Sequence, residues 1–273
     1  GHDYASDCYI ATQGPMQNTI YEYWLMVMQN IKKADNQGCQ KIAMLTDFVE
    51  SQRSKCAVYF PQDLDNCEIF SNTSSPQDEN FIRENIDTIV NDGEKIETNF
   101  NYFIVKNVGL ISKNGYTIRK LLLIYKNCQT EDYQKFTVYH YWFPDWPDHR
   151  SPQDIDVLLD LSLDLLDGDC NKDFGNEVEA EDVNKDKVPL PIIHCSAGIG
   201  RTGCLAAILN GLGQIRANSD SSSGEGTSVD VLGIVCNLRL QRGGMVQNSE
   251  QYELIHRSLC LYQQKLSQKV ISL

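Results

Sequence analysis

Residues 188–203 constrain this chain more than any other stretch. An apolar, strand-like run over 188–194 passes through Cys195-Ser196-Ala197-Gly198-Ile199-Gly200 into a helical pattern over residues 201–216. Leu205, Ile208, Leu209, Leu212 and Ile215 recur on the inward face of that helix. A glycine-rich turn between a buried strand and a helix N-terminus points backbone N–H groups into a concavity. The helix dipole adds positive potential there, so the turn suits a bound oxyanion. The same field favours a thiolate over a thiol, which makes Cys195 a candidate nucleophile. Arg201, six residues on, can return a planar guanidinium to the far side and grip two oxygens of a tetrahedral anion.

Rival readings of the segment fail on context. Gly198-Ile199-Gly200-Arg201-Thr202-Gly203 has dinucleotide-fingerprint spacing, but that reading needs a second strand ending in an acid about 20 residues later. Residues 218–225 are instead a polar Ser/Gly stretch. A Walker loop would need lysine where Cys204 stands, and a nucleophile elbow would need glycine where His194 precedes the Cys195-Ser196 pair. The chain holds a second Cys-x5-Arg match, Cys236 to Arg242, which lies in a helical pattern without glycine between its ends and reads as structural.

The rest of the chain frames this segment. At 273 residues, 41% hydrophobic and 22% charged, it has the composition of one sizeable globular domain, with no apolar run long enough to span a bilayer. A net charge of −13 argues against a nucleic-acid partner, whose phosphates would call for clustered cations. Ten cysteines without a C-x-x-C pair read as reduced thiols, all but Cys195 buried as small hydrophobes. A capping-box pattern, Thr19 to Glu22, opens a helix over 19–33 whose apolar face carries Tyr23, Trp24, Val27, Met28 and Ile31. Strand-like runs fall at 41–46, 56–60, 102–111, 117–125 and 135–143. Ser151 as N-cap with Pro152 at the first position predicts a helix over 152–166. Two more helices are expected over 229–241 and 249–266. Residues 71–91 read as a surface loop, 167–187, with eight acidic and three basic residues, as a solvated excursion, and 217–228 as a linker. The expected architecture is α/β (α+β): a single domain, 1–273, with a central twisted, largely mixed sheet flanked by helices.

His194-Cys195-Ser196-Ala197-Gly198-Ile199-Gly200-Arg201-Thr202-Gly203 resembles the signature loop of the cysteine-dependent protein tyrosine phosphatases. Further blocks follow in that family's order. Thr12-Gln13-Gly14-Pro15 is similar to its TQGP block, Lys55-Cys56-Ala57-Val58-Tyr59-Phe60-Pro61 to its KC-x-x-YWP strand, Trp146-Pro147-Asp148 to its acid loop, and Gln247-Asn248-Ser249-Glu250-Gln251-Tyr252 to its glutamine loop. The stretch from Val229 to Tyr262, with His140-Tyr141-Trp142-Phe143, is most similar to the cytosolic subgroup directed at MAP kinases.

The resemblance implies hydrolysis of phosphotyrosine in proteins through a phosphocysteine intermediate, without metal or cofactor. Cys195 would be the nucleophile, Arg201 the oxyanion clamp and Asp148 the general acid and then base. The amides of Ser196, Ala197, Gly198, Ile199 and Gly200 would hold phosphate oxygens, and Gln247 would place the hydrolytic water. Thr202 would assist departure of the thiolate, while His194, Trp146, Glu50 and Gln251 would support the site, Glu50 by holding Arg201. The implied partner is a phosphotyrosine protein, a MAP kinase first of all, in the cytoplasm. The alternative is an inactive phosphotyrosine-binding or kinase-tethering module on the same fold. The family has a longer portion ahead of its TQGP block, so this chain is expected to be N-terminally incomplete. His149-Arg150 follows the acid where the family commonly has glycine in the second place.

Overall fold

The computed structural model describes residues 8–35, 39–73, 75–92, 96–130, 132–147, 150–152, 154–168, 170–175, 188–220 and 228–271. A seven-stranded mixed sheet organises them. Its strands, numbered in chain order, are β1 (Ile10–Thr12), β2 (Gln40–Met44), β5 (Cys67–Ser71), β6 (Tyr102–Ser112), β7 (Thr117–Lys126), β8 (Tyr133–Trp142) and β9 (Ile192–His194), and their spatial order is β1-β9-β2-β8-β7-β6-β5. A two-residue hairpin, β3 (Val49–Glu50) with β4 (Arg53–Ser54), stands apart. β1, β9, β2 and β8 run parallel, whereas β8, β7, β6 and β5 form an antiparallel meander. The parallel half holds the shortest strands, and its central β9 is buried at every position, as a strand covered on both faces must be.

Helices cover both faces. α1 (Ile20–Lys33) buries Tyr23, Trp24, Val27, Met28 and Ile31 on one side, together with Tyr59 and Phe60. On the other side lie α3 (Ile155–Asp167), α5 (Gly200–Asp220), α6 (Val231–Gln241) and α7 (Ser249–Ile271). Leu205, Ile208, Leu209, Leu212 and Ile215 of α5 are all buried, and Ala206 and Ala207 are too, so this helix is wrapped by the sheet and by α6 and α7. Lys41 of β2 caps the C-terminus of α3, its ammonium donating to the carbonyls of Asp164, Leu165 and Gly168 at 3.1, 3.0 and 2.9 Å.

Several expectations are corrected. The 71–91 loop contains α2 (Pro76–Glu84) and a π-helical turn, Thr88–Asp92. The Ser75 hydroxyl accepts from Asp78 N, Pro76 occupies the first turn, and buried Ile82 and Ile89 pin both pieces to the sheet, forces that a polar composition conceals. α3 starts at Ile155, because Asp154 rather than Ser151 caps it, accepting from the amides of Asp156 and Val157. Thr19 bounds α1 as expected, but its hydroxyl turns back to Met16 and makes no cap bond to the helix. Residues 56–60 form no strand; Tyr59 and Phe60 instead pack their rings under the sheet ahead of Pro61. Among its described residues the 167–187 stretch holds one helical turn, α4 (Cys170–Asp173); residues 169 and 176–187 fall outside the described set. α5 extends to Asp220, into the expected linker, of which residues 221–227 are not described. The thiols are not uniformly buried: Cys56, Cys195 and Cys204 are, whereas Cys8, Cys128, Cys236 and Cys260 are exposed. Among the described residues no helix is long and apolar enough to cross a membrane.

Candidate active site

Parallel strands place their carboxyl ends side by side, and the crevice there is where open sheets of this kind bind ligands. β9 ends at His194 between Thr12 of β1 and Met44 of β2, and the chain then turns sharply into α5. The turn is clamped from both flanks: Leu45 N donates to the His194 carbonyl at 2.9 Å, and Gly14 N to that of Ser196 at 2.9 Å. Gly198 lies at φ +71°, and a Cβ there would stand 2.1 Å from the Thr12 carbonyl oxygen. Only glycine tolerates both the left-handed backbone and that approach. From Gly198 the amide donates to Cys195 Sγ at 3.3 Å, and the Cys195 residue is 3% exposed. Ser196 and Ile199 are half-buried, and Ala197 faces solvent.

Arg201 is 2% exposed and its guanidinium is held from below. Nη1 donates to Glu50 Oε1 at 2.6 Å and to the Trp146 carbonyl at 2.8 Å, and Nη2 donates to Glu50 Oε2 at 3.3 Å. Two-pronged pairing fixes the plane of a guanidinium as well as its position. Glu50 is itself fixed by the Thr46 hydroxyl at 2.7 Å, with Lys55 Nζ at 3.9 Å. Trp146 is fully buried, and its indole N–H donates to the Arg150 carbonyl at 2.7 Å. Asp148, and His149 after it, lie outside the described residues. A cleft of about 1020 Å³ opens beside this clamp, with Glu50, Lys55, Trp146 and Arg150 in its wall.

The 245–251 turn closes the opposite side. Gln247 Oε1 and Gln251 Nε2 lie against Gly200, 2.3 and 2.9 Å from where a Cβ would stand. The backbone there is strained, since Val246 is β-branched yet sits at φ 60°. It is held by donation of its amide to the Ile199 carbonyl at 3.1 Å and by Arg239, whose Nη2 donates to the Val246 carbonyl at 2.6 Å. Gln251 is buried; its Oε1 accepts from Gln247 N at 2.8 Å, while its Nε2 and the buried Thr202 hydroxyl have no hydrogen-bond partner among the described residues. Such groups at a site's floor are where a bound anion or water would find bonding capacity.

Behind the turn, His194 is fully buried; its Nδ1 lies 3.1 Å from the Cys195 carbonyl and its Nε2 2.7 Å from the Tyr59 hydroxyl. The same hydroxyl lies 2.6 Å from His140 Nε2. Burial lowers the His194 pKa from 6.5 to about 4, partly offset by the bond to the Cys195 backbone. His140 is lowered well below its ordinary value by burial first, then by the Arg119 charge and by His194. Burial also pushes the neighbouring Cys56 thiol up to about 12.

The structure thus brings Cys195, Arg201, Glu50, Trp146, His194, Thr202, Gln247 and Gln251 around one turn, and three further participants escaped sequence reasoning. Tyr59 and His140 form the support behind His194, and the sequence gives no spacing signal that links them. Arg242, dismissed with its helical decoy, donates from Nε to the Gly198 carbonyl at 3.0 Å and from Nη2 to that of Ala197 at 3.2 Å. Its place just ahead of Gly243-Gly244, at the end of α6, was the available hint.

Comparison with known proteins agrees with this geometry. The sequence model of one family, described as protein-tyrosine phosphatase, matches residues 1–95 and 77–261. Receptor-type tyrosine-protein phosphatase R of Rattus norvegicus is 33% identical over 271 residues, 99% of this chain and 31% of that protein. Tyrosine-protein phosphatase non-receptor type 7 of the same species is 32% identical over 267 residues, 97% of this chain and 55% of that protein. Non-receptor type 5, again from rat, is 31% identical over 267 residues, 98% of this chain and 54% of that protein. The chain therefore spans between 31% and 55% of the length of these relatives. A family match over nearly its whole length, with a strand, turn and helix built around Cys195 and Arg201, makes this chain a member of the protein-tyrosine phosphatase family.

Proposed function

We propose that the chain hydrolyses phosphotyrosine in proteins by way of a phosphocysteine. The observation that carries this reading is the Cys195–Arg201 turn: a thiol receiving a backbone N–H, at the N-terminus of a buried helix, with an oriented guanidinium on the far side. In the first half-reaction the Cys195 thiolate attacks phosphorus and an S–P bond forms. The P–O bond to the tyrosine breaks, and Asp148 gives its proton to the departing phenolate. With a leaving-group pKa of about 10, that proton is worth roughly 10²- to 10⁴-fold. The turn's amides and Arg201 hold the equatorial oxygens, whose charge they are placed to stabilise. In the second half-reaction a water placed by Gln247 attacks phosphorus, Asp148 accepts its proton, and the S–P bond breaks to return the thiolate with help from Thr202. No step draws on a metal or cofactor.

MAP kinases are the proposed substrate class and the cytoplasm the proposed location, both resting on the subgroup likeness of residues 229–262 and of His140-Tyr141-Trp142-Phe143. The test is hydrolysis of para-nitrophenyl phosphate in EDTA by the wild-type chain and by Cys195→Ser. Turnover abolished in the variant supports the reading. A chain that binds phosphotyrosine peptide or vanadate with a raised melting temperature but never turns over would instead be a binding module.

A further inference from the structure

His140 lies on β8 and His194 on β9, opposite Ile42 and Met44 of the intervening β2, so their side chains share one face of the sheet. Tyr59 spans the gap and bonds both imidazoles at 2.6 and 2.7 Å. The hydrogen positions in this chain follow from its far end. A carbonyl oxygen only accepts, so His194 Nδ1, 3.1 Å from the Cys195 carbonyl, carries the hydrogen. Neutral His194 then offers a lone pair at Nε2, and the Tyr59 hydroxyl must donate to it. The Tyr59 oxygen is left to accept, so His140 donates from Nε2. All three groups are buried, and with neutral partners no other arrangement both gives the Cys195 carbonyl a donor and bonds Tyr59 to the two rings.

Beyond its bond to Tyr59 the His140 ring makes no other side-chain hydrogen bond among the described residues. Its Nδ1 is buried without a hydrogen-bond partner among the described residues, a cost that a purely packing role would shed by using an apolar side chain. Its ring stacks on Phe60, centroids 4.0 Å apart, and the Arg119 guanidinium lies over the Phe60 and Trp142 rings at 5.3 and 5.2 Å. The cation on β7 and His194 across β2 are the charged and titratable groups that face it, and both oppose its protonation.

We infer that His140 is a positioning residue: by donating to Tyr59 it locks His194 in the Nδ1–H tautomer, which holds the Cys195 carbonyl and so the shape of the turn around the thiol. Without that donation Tyr59 can accept from His194 instead. His194 then shifts its hydrogen to Nε2 and presents a lone pair to the Cys195 carbonyl, and the turn loses a tether at its first residue. The inference rests on Cys195 being the reactive thiol, but its test does not rest on phosphatase turnover.

Nitrogen-15 NMR of the wild-type chain is expected to show neutral His194 as the Nδ1–H tautomer and neutral His140 as Nε2–H; a His194 with its hydrogen on Nε2 overturns the inference. In parallel, the rate of Cys195 alkylation by iodoacetate is followed against pH in His140→Gln, which keeps a donor near the Nε2 position, and in His140→Leu, which removes it. His140→Leu is expected to alkylate roughly three- to tenfold more slowly at mildly acidic pH, the scale of one lost buried hydrogen bond, and His140→Gln to stay near wild type. His140→Leu that melts cooperatively yet keeps the wild-type alkylation profile contradicts the inference. Should the leucine variant fail to fold, the wild-type tautomers still decide the matter. Full phosphatase inactivity with the expected tautomers and alkylation would count against the proposed function and leave this positioning role standing.

Discussion

Removing the carboxylate of Glu50 should cost this protein far more than its position on a two-residue strand would suggest. The Arg201 guanidinium it holds is 2% exposed, and Glu50 supplies two of its contacts, at 2.6 and 3.3 Å, besides accepting from Thr46 at 2.7 Å. Deleting one partner of a buried pair leaves the other charge uncompensated, which costs about 3–5 kcal/mol. The Glu50 side chain keeps 16% exposure, so water entering the gap relieves part of this. Glu50→Ala is therefore expected at the low end, about 3 kcal/mol, and Glu50→Gln, which keeps an acceptor for Nη1, at roughly half of that. Urea unfolding at neutral pH measures both, with an unchanged denaturant slope as the sign that the native fold is intact. Combining Glu50→Ala with Arg201→Met separates lost attraction from stranded charge: if the stranded charge dominates, the second substitution restores most of the stability. Loss below about 1 kcal/mol in Glu50→Ala, or simple addition in the double variant, would refute the reasoning. Turnover should fall about 100-fold in Glu50→Ala, since an unsteered guanidinium no longer meets the phosphoryl oxygens in register.

Further outcomes follow from the same geometry. His194 has a folded pKa of about 4 against an ordinary 6.5, so its contribution to stability is complete above 6.5 and is lost as pH falls towards 4 while the unfolded chain takes up the proton. Over that window the loss is about 3 kcal/mol from this group alone, and an unfolding free energy that stays flat in urea titrations across it would contradict the buried neutral imidazole. Gly198→Ala places a Cβ 2.1 Å from the Thr12 carbonyl at φ +71°, and calorimetry should show destabilisation by more than about 1 kcal/mol, with vanadate no longer raising the melting temperature. Lys41→Met leaves the carbonyls of Asp164, Leu165 and Gly168 without their ammonium, and should lower unfolding stability by about 1–3 kcal/mol; an unchanged urea midpoint would show the cap to be idle.

What could be read from the sequence was what the chain encodes locally. The strand, turn and helix α5 around Cys195 are contiguous, so apolar runs and glycines reveal them together, and α1 and α3 declare themselves by one-sided apolar spacing. α2 was hidden because its stability comes from a serine cap, a first-turn proline and single buried isoleucines, none of which makes a periodic stripe. The support behind the turn was illegible for another reason. His140 and His194 lie 81 and 135 residues beyond Tyr59 in sequence, and only the interleaving of β8, β2 and β9 brings the three together. Arg242 shows the converse failure: the helix ahead of it is legible, but Arg242 itself is the extended cap of α6, and where it delivers its guanidinium depends on how α6 meets α5.

The central claim is that a covalent phosphoryl group passes through Cys195. Rapid acid quench during turnover of a phosphotyrosine peptide, followed by mass spectrometry of the fragment carrying residues 188–203, tests it directly. The account predicts phosphate on Cys195, accumulating further in Gln247→Ala, where the water is no longer placed, and absent in Cys195→Ser. Turnover that proceeds with no phosphate on that fragment, or with phosphate on another residue, would contradict it.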